Sequence, residues 1–266
     1  MKINFCKMQA LGNDFMVIDT LRQSLDLTPE LIKKWGERRT GIGFDQLLLL
    51  EPATNPQADF IYRIFNADGT EVEQCGNGAR CVARFIFEQK LSIKKQLLLQ
   101  TKQGLLHTEL IALDWVKVSL GMPQIEVQPR LMEIDNHLLE VGVLSLGNPH
   151  AVICVADVAT ADVAKTGAKI ETDASFAEGV NVGFMEIINS KEIKLRVWER
   201  GVGETPACGS GASAAVVIGQ QKGKLAAEVE VHLPGGKLYI THLARQPVYL
   251  TGPAQQVFTG RVFNDK

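Results

Sequence analysis

The chain has 266 residues, 45% hydrophobic and 22% charged, so it holds ample apolar material for a core, and intrinsic disorder is excluded. Its net charge of −2, from 28 basic and 30 acidic residues, excludes a strongly basic surface for nucleic acid or an anionic membrane. No apolar run approaches the ~18 residues of a membrane span, and the first residues, MKINFCKMQA, lack the apolar core of a signal peptide.

The first half of the chain predicts an α/β unit. Thr28-Pro29-Glu30 supplies an N-cap, a proline in the first turn and an acidic residue, which predicts a helix through about Arg38. Short apolar runs at 47–50 and 60–65 predict buried strands, and residues 76–88 predict a helix. Residues 97–101 and 105–110 flank the turn sequence KQG and predict a hairpin.

The second half predicts a similar set of elements. Met122-Pro123 and Pro129 lie where a linker is expected, and residues 193–199 predict a strand. Residues 209–219 predict a short helix that is apolar on nearly every face, which is typical of a buried helix. Residues 226–233 and 237–241 flank a PGG turn and predict a second hairpin.

Four sequence motifs occur twice, in the same order and at nearly the same separation. LGNDFMVID begins at Leu11 and LGNPHAVIC at Leu146, while GFDQ and GVNV begin at Gly43 and Gly179. YRIFNADG aligns with LRVWERGVG, and CGNGA aligns with CGSGA, at one common spacing. The nearly constant spacing predicts a duplicated unit of about 120–135 residues. We therefore expect two like domains, 1–118 and 119–254.

Each repeat places a cysteine before a glycine-rich helix start. The unpaired N–H groups of a first helical turn stabilise a thiolate, lowering the thiol pKa, and can also hold a carboxylate. One such turn alone is more often a tight turn with a small apolar side chain, and it lacks the lysine of a phosphate-binding loop. Two equivalent copies instead suit stereoinversion, in which a thiolate removes an α-proton and a thiol protonates the opposite face.

The spacing of the cysteines does not indicate a disulfide framework. The five cysteines are scattered without a CxxC pair: Cys6, Cys75, Cys81, Cys154 and Cys208. This pattern favours free thiols in a reducing cytoplasm over a disulfide-stabilised secreted protein. It also disfavours a dithiol redox protein or a metal-binding protein, which would need closely spaced ligands.

Polar residues near the repeated motifs suit an amino-acid substrate. Five asparagines lie in predicted loops of the repeats: Asn13, Asn66, Asn77, Asn148 and Asn181. Each alone is typical of a turn, but together with Glu199 they could accept hydrogen bonds from an ammonium group. Arg200 could hold a carboxylate, and His150 could orient or help to deprotonate a thiol.

The sequence resembles the diaminopimelate epimerase family. The matching stretches run in order from residue 11 to residue 212: LGNDF, GIGFDQ, FNADGTEVEQCGNGARC, GNPHAV, EGVNVGF and ERGVGETPACGSGA. The two cysteine-centred stretches are long and specific. The chain departs from the family at Gln9-Ala10, where His-Gly is common, and at Ala177, where proline is common.

The resemblance implies a fold and an activity. Such enzymes interconvert LL- and meso-diaminopimelate without a cofactor or metal, in lysine and peptidoglycan precursor biosynthesis, and commonly form homodimers. The implied fold is α/β (α+β), with two pseudo-symmetric domains, each a mixed sheet or barrel wrapped around a central helix, and an active site in the cleft between them. The implied C-terminal tail, residues 255–266, packs back on the first domain.

The resemblance also assigns residues. Cys75 and Cys208 match the acid–base thiols, and His150 and Glu199 match polar groups that support them. The implied substrate-binding residues are Asn13, Gln46, Asn66, Gly76, Asn77, Asn148, Asn181, Glu199, Arg200, Gly209 and Ser210. Two alternatives remain open alongside it, a cysteine-pair racemase of proline or hydroxyproline and a non-catalytic binding protein for diacidic amino acids.

Overall fold

The computed structural model describes residues 2–73 and 75–263. The described residues fall into two compact units, the first within Met1–Val118 and Gly252–Lys266 and the second Ser119–Thr251. Across those described ranges, every helix is too short or too polar to span a lipid bilayer.

The first unit combines two helices with a mixed sheet. Its helices are α1 (Pro29–Gly36) and α2 (Gly76–Glu88). Its strands are β1 (Lys2–Ala10), β2 (Asn13–Asp19), β3 (Gln46–Pro52), β4 (Phe60–Asn66), β5 (Glu71–Val72), β6 (Gln96–Thr101), β7 (Gly104–Ala112), β8 (Trp115–Ser119) and β19 (Gln255–Phe263). Strands β2 and β3 are parallel, as are β4 and β6, whereas β1–β2, β3–β4, β6–β7 and β7–β8 are antiparallel.

The second unit has the same kinds of elements. Its helices are α3 (Val163–Glu171) and α4 (Gly209–Gln221). Its strands are β9 (Gln124–Ile125), β10 (Arg130–Ile134), β11 (His137–Ser145), β12 (Pro149–Cys154), β13 (Asn181–Asn189), β14 (Glu192–Glu199), β15 (Gly203–Thr205), β16 (Glu228–Leu233), β17 (Gly236–Thr241) and β18 (Tyr249–Pro253). The last two residues of β18 already belong to the first unit. Met122-Pro123 and Pro129, where a linker was expected, instead flank β9 within this unit.

The two units repeat one topology. In the first, β2 leads through α1 to a parallel β3, and β4 leads through α2 to a parallel β6. In the second, β12 leads through α3 to a parallel β13, and β14 leads through α4 to a parallel β16. The predicted duplication is therefore present in the fold, with each crossover helix at the same place in its repeat.

Strand register refines one of the repeat alignments. Phe15 of LGNDFMVID pairs with Gln46 in the first unit. His150, at the matching position of LGNPHAVIC, pairs with Asn181 in the second. Gln46 is therefore the counterpart of Asn181, and the GFDQ–GVNV alignment is one residue out at this strand. Asp45 is consequently an extra residue of the first unit.

The central helices lie inside their units. Helix α2 packs against β1, β2, β3, β4, β7 and β19, and α4 packs against β11, β12, β13, β14 and β17. Every residue of α4 from Gly211 to Gly219 is buried, as its nearly uniform apolar sequence predicts. Each cysteine turn is thereby fixed at the N-terminus of a helix surrounded by strands.

The C-terminal strand completes the first unit. Strand β19 pairs antiparallel with β1 through nearly its whole length, from Lys2 opposite Phe263 to Gln9 opposite Gln255. The arginines Arg80 and Arg84 of α2 donate hydrogen bonds to the carbonyl oxygens of Pro253 and Ala254. Residues 264–266 of the expected tail lie outside the described residues.

Candidate active site

The first half-site, defined as Asn13, Gln46, Asn66 and Cys75–Asn77, lies at one end of the first unit's sheet. Strands β2 and β3 begin there, at Asn13 and Gln46, and β4 ends there, at Asn66. Helix α2 begins there as well, with Cys75 as its N-cap. Because three of these elements begin and one ends at the same edge of the sheet, residues that are far apart in sequence lie close together.

Cys75 is held by backbone and side-chain contacts. Its Sγ accepts a hydrogen bond from the Gly78 N–H at 3.3 Å and lies 3.9 Å from Asn13 Oδ1. The fully buried Tyr62 hydroxyl donates to the Cys75 carbonyl oxygen at 3.2 Å. The sulfur therefore takes the capping position that serine, threonine, aspartate or asparagine oxygens commonly occupy.

Asn13 is oriented by a carboxylate that sequence reasoning missed. Its Nδ2 donates to Asp45 Oδ2 at 2.8 Å, so its Oδ1 faces Cys75 and accepts from Asn77 Nδ2 at 3.3 Å. Asp45 is held in turn by Arg38, which also binds Asp14. Asp14 and Asp45 lie in separate sequence motifs, NDF and FDQ. The parallel pairing of β2 with β3 brings them together around Arg38.

Gln46 and Asn66 form an amide pair beside this cluster. Gln46 Nε2 donates to Asn66 Oδ1 at 3.0 Å, and Asn66 Nδ2 donates to the Thr70 hydroxyl at 3.2 Å. Within the described part of the chain, the buried Gln46 Oε1 has no hydrogen-bond partner. An acceptor of this kind suits an ammonium group of a ligand.

The second half-site, defined as Asn148, Asn181, Glu199, Arg200 and Cys208–Ser210, has the same construction. Strand β12 begins just after Asn148, β13 begins at Asn181, β14 ends at Glu199, and Cys208 is the N-cap of α4. Asn148 Nδ2 donates to Ser210 Oγ at 3.3 Å, the counterpart of the Asn77–Asn13 contact in the first half-site.

Asn181 anchors the loop that carries the charged residues. Its Nδ2 donates to the Pro149 carbonyl oxygen at 3.0 Å, and its Oδ1 accepts from the Arg200 N–H at 3.1 Å. The Arg200 guanidinium donates to the Glu178 carbonyl oxygen, and the Thr205 hydroxyl donates to the Glu199 carboxylate. The cation and the carboxylate are thus neighbours in sequence but have separate partners.

Cys208 does not follow the expectation of a lowered pKa. Burial raises the pKa of this thiol well above its usual value of 9.0, and the nearby Glu199 carboxylate raises it further. The Gly211 N–H and the Ser210 hydroxyl act in the opposite sense on this pKa but are outweighed. Desolvation exceeds the stabilisation that a helix N-terminus provides, so this sulfur keeps its proton at neutral pH.

His150 is neutral in this environment. Complete burial, with the Arg200 charge as a second cause, lowers the pKa of His150 to about 3. Its Nε2 lies 3.1 Å from Asn148 Oδ1, and a neutral ring donates to that oxygen. His150 therefore fixes the Asn148 amide, whose Nδ2 then points to Ser210, and it carries no positive charge to stabilise a thiolate.

The two half-sites contain the same kinds of chemical groups. Each has a thiol at a helix N-terminus, and the glycine-rich first turns leave backbone N–H groups that can hold a carboxylate. Over residues 2–73 and 75–263, no cluster of three histidine, cysteine or acidic side chains has metal-ligand geometry.

Known structures share the fold. A PhzF-family phenazine biosynthesis protein from Bacillus anthracis matches with a TM-score of 0.73 at 18% identity, covering 99% of each chain. A hydroxyproline epimerase from Agrobacterium vitis matches with a TM-score of 0.73 at 14% identity, covering 100% of this chain and 93% of that one. At these identities the likeness concerns the fold alone.

Sequence comparison identifies the family. The family model described as diaminopimelate epimerase matches residues 5–126 and 142–257. The diaminopimelate epimerase of Stutzerimonas stutzeri is 45% identical, covering 98% of this chain and 99% of that protein. The diaminopimelate epimerase of Acinetobacter baylyi is 48% identical, covering 98% of each chain. The chain belongs to the diaminopimelate epimerase family of isomerases.

Proposed function

We propose that this protein interconverts LL- and meso-diaminopimelate, using Cys75 and Cys208 as its acid–base pair, in the supply of lysine and peptidoglycan precursors. One thiolate removes the α-proton of the substrate, and the other thiol donates a proton to the opposite face of the same carbon. The observation that carries the proposal is the duplicated fold, which sets one cysteine as the N-cap of each central helix.

The surrounding groups suit the two ends of the substrate. The N–H groups of Gly76-Asn77 and Gly209-Ser210 would hold the carboxylate at the reacting carbon, where negative charge develops. The asparagines, Gln46 and Glu199 would accept from ammonium groups, and Arg200 would hold a carboxylate of the distal end. Binding of that distal end would supply energy used at the reacting carbon.

The proposal needs no cofactor, since the two thiols supply base and acid, and fixed N–H groups stabilise the carbanion. We also propose that the protein is cytoplasmic, because five scattered cysteines without a CxxC pair suit a reducing compartment. By resemblance to its family, we propose a homodimer, which sedimentation would distinguish from a monomer.

Substitution of each thiol tests the proposal. Cys75→Ser and Cys208→Ser should each reduce the rate of LL-to-meso conversion by at least about 100-fold, because a hydroxyl is a far weaker acid than a thiol. Conversion is measured by chiral separation of the product. Cys154→Ser is the matched control, since this cysteine is exposed at the end of β12, and it should retain full activity.

Other results of these assays would favour one of the alternatives. Full epimerase activity in one of the half-site variants would refute the two-base assignment. Binding of diaminopimelate that survives both substitutions, without turnover in the parent protein, would favour a binding protein instead. A preference for proline or hydroxyproline in the same assay would favour the racemase alternative.

A further inference from the structure

A buried arginine lies in the helix that Cys75 begins. Arg80, in the second turn of α2, is fully buried, with 0% of its surface exposed. Its Nε donates to the Pro253 carbonyl oxygen at 3.1 Å, and its Nη1 lies 3.5 Å from the carbonyl oxygen of Gly76, the residue after Cys75. In the described part of the chain, Arg80 Nη2 has no hydrogen-bond partner, and no carboxylate pairs with the guanidinium.

Arg80 is charged at neutral pH. Burial lowers its pKa to about 10, and the ionised forms of Cys81, Cys75 and Tyr62 would each raise it. A buried cation is costly to keep unless an anion faces it. The identity of that anion follows from the titration of its three neighbours.

Two of the three neighbours are neutral. Burial raises the pKa of Tyr62, on β4, and of Cys81, on α2, far above neutrality. Behind Cys81, burial raises the pKa of Cys6 on β1 to about 12, and the Arg84 and Glu88 charges near Cys6 pair with each other. Cys75 is the remaining described group that can carry the countercharge.

The second unit reverses this arrangement. Ser213 stands at the same distance along the chain from Cys208 as Arg80 from Cys75, and this counterpart is fully buried and neutral. The charge that acts on the second sulfur is instead the Glu199 carboxylate, which raises the pKa of Cys208. The duplicated fold thus provides one thiol with a cationic neighbour and the other with an anionic neighbour.

We propose that Arg80 is the buried countercharge that holds Cys75 as the resting thiolate, while Cys208 begins the reaction as the thiol. Arg80 is a positioning residue that acts through Cys75. The Gly78 N–H, donated to the same sulfur at 3.3 Å, also stabilises the thiolate, whereas Asn13 Oδ1, 3.9 Å from the sulfur, opposes it. This inference rests on the proposed function and adds which sulfur holds the proton before substrate binds.

The test is the pH dependence of alkylation of Cys75 by iodoacetamide, read by mass spectrometry of its peptide in a Cys208→Ser background. With Arg80 present, the midpoint should lie below the ~8.5 of a free cysteine. Arg80→Met should raise the midpoint by about 1 unit or more, and Arg80→Lys, which keeps the charge, should restore most of the difference. Arg84→Gln is the matched control, because Arg84 also binds the 253–254 segment, and it should leave the midpoint unchanged.

The inference is overturned if the midpoint of the Arg80 parent lies at or above ~8.5, a result that needs no Arg80 variant to fold. It is also overturned if Arg80→Met and Arg84→Gln shift the midpoint equally, since Arg80 then acts only by securing the chain. Failure of the proposed function is a separate result, because alkylation is measured without substrate and epimerase activity is not part of the readout.

Discussion

At the scale of single residues, one motif produces two electrostatic environments. Sequence reasoning correctly places Cys75 and Cys208 at helix N-termini, where the local N–H groups favour a thiolate. It does not reveal that Cys208 is fully enclosed or that Glu199 lies beside it, because both depend on tertiary packing. Burial can shift a pKa by several units, more than the first turn of a helix compensates.

His150 gives a residue-scale prediction on stability. Its pKa is about 3 in the folded protein and 6.5 without the fold, so the unfolded chain binds more protons between these values. The contribution of His150 to the free energy of unfolding is therefore fully present above pH 6.5. Below that pH the free energy of unfolding should fall by up to about 1.4 kcal/mol per pH unit. Urea unfolding from pH 7.5 to 5 should show this slope, and His150→Gln should reduce it.

The control for that experiment is another histidine of the same unit. His137 is exposed on β11, so His137→Gln should leave the pH dependence of the unfolding midpoint as in the parent. An equal slope in the parent and in His150→Gln would show that His150 is not the group responsible.

At the scale of elements, local sequence patterns predict three of the four helices and seven of the nineteen strands that the structure describes. The predicted helix at 76–88 is confirmed with the same bounds, and the helix after Thr28 ends at Gly36 rather than Arg38. The predicted strands are confirmed with ends that differ by one or two residues, because pairing with neighbours decides where a strand ends. The other twelve strands and helix α3 escape prediction: β5 and β15 are too short to carry a periodicity, but β1, β11 and β13 have nine residues each.

Gly78 gives a prediction at this scale. Alanine normally stabilises a helix relative to glycine by up to about 1 kcal/mol. Here a Cβ at Gly78 would lie 2.2 Å from the Tyr62 hydroxyl and 3.1 Å from Leu48 Cδ2, inside a closed core. Gly78→Ala should therefore lower the free energy of unfolding by about 1–3 kcal/mol, measured by urea titration.

A double variant separates the clash from other effects. Tyr62→Phe removes the hydroxyl, so the additional cost of Gly78→Ala should be smaller in that background than in the parent. Equal costs in the two backgrounds would show that the hydroxyl is not what excludes a side chain at Gly78.

At the scale of the whole molecule, the duplication seen in the sequence recurs in the fold as equivalent positions in the two units. Asn13 and Asn148 fall at equivalent strand starts, and Asn66 and Glu199 at equivalent strand ends, as the repeats predict. The Arg63–Glu71 and Arg196–Glu204 ion pairs also recur at equivalent places. The one-residue difference at Asp45 could not be predicted, because only strand register reveals which residues face each other.

The central claim is that Cys75 and Cys208 act as separate base and acid on one carbon. It is tested most directly by incubating LL-diaminopimelate with the protein in deuterated water and analysing both isomers by mass spectrometry at low conversion. A two-base mechanism predicts one deuterium at the inverted carbon of the meso product, while the recovered LL isomer is unlabelled. Deuterium that enters the LL isomer as fast as the meso product would show that one group both removes and returns the proton, and would contradict the account.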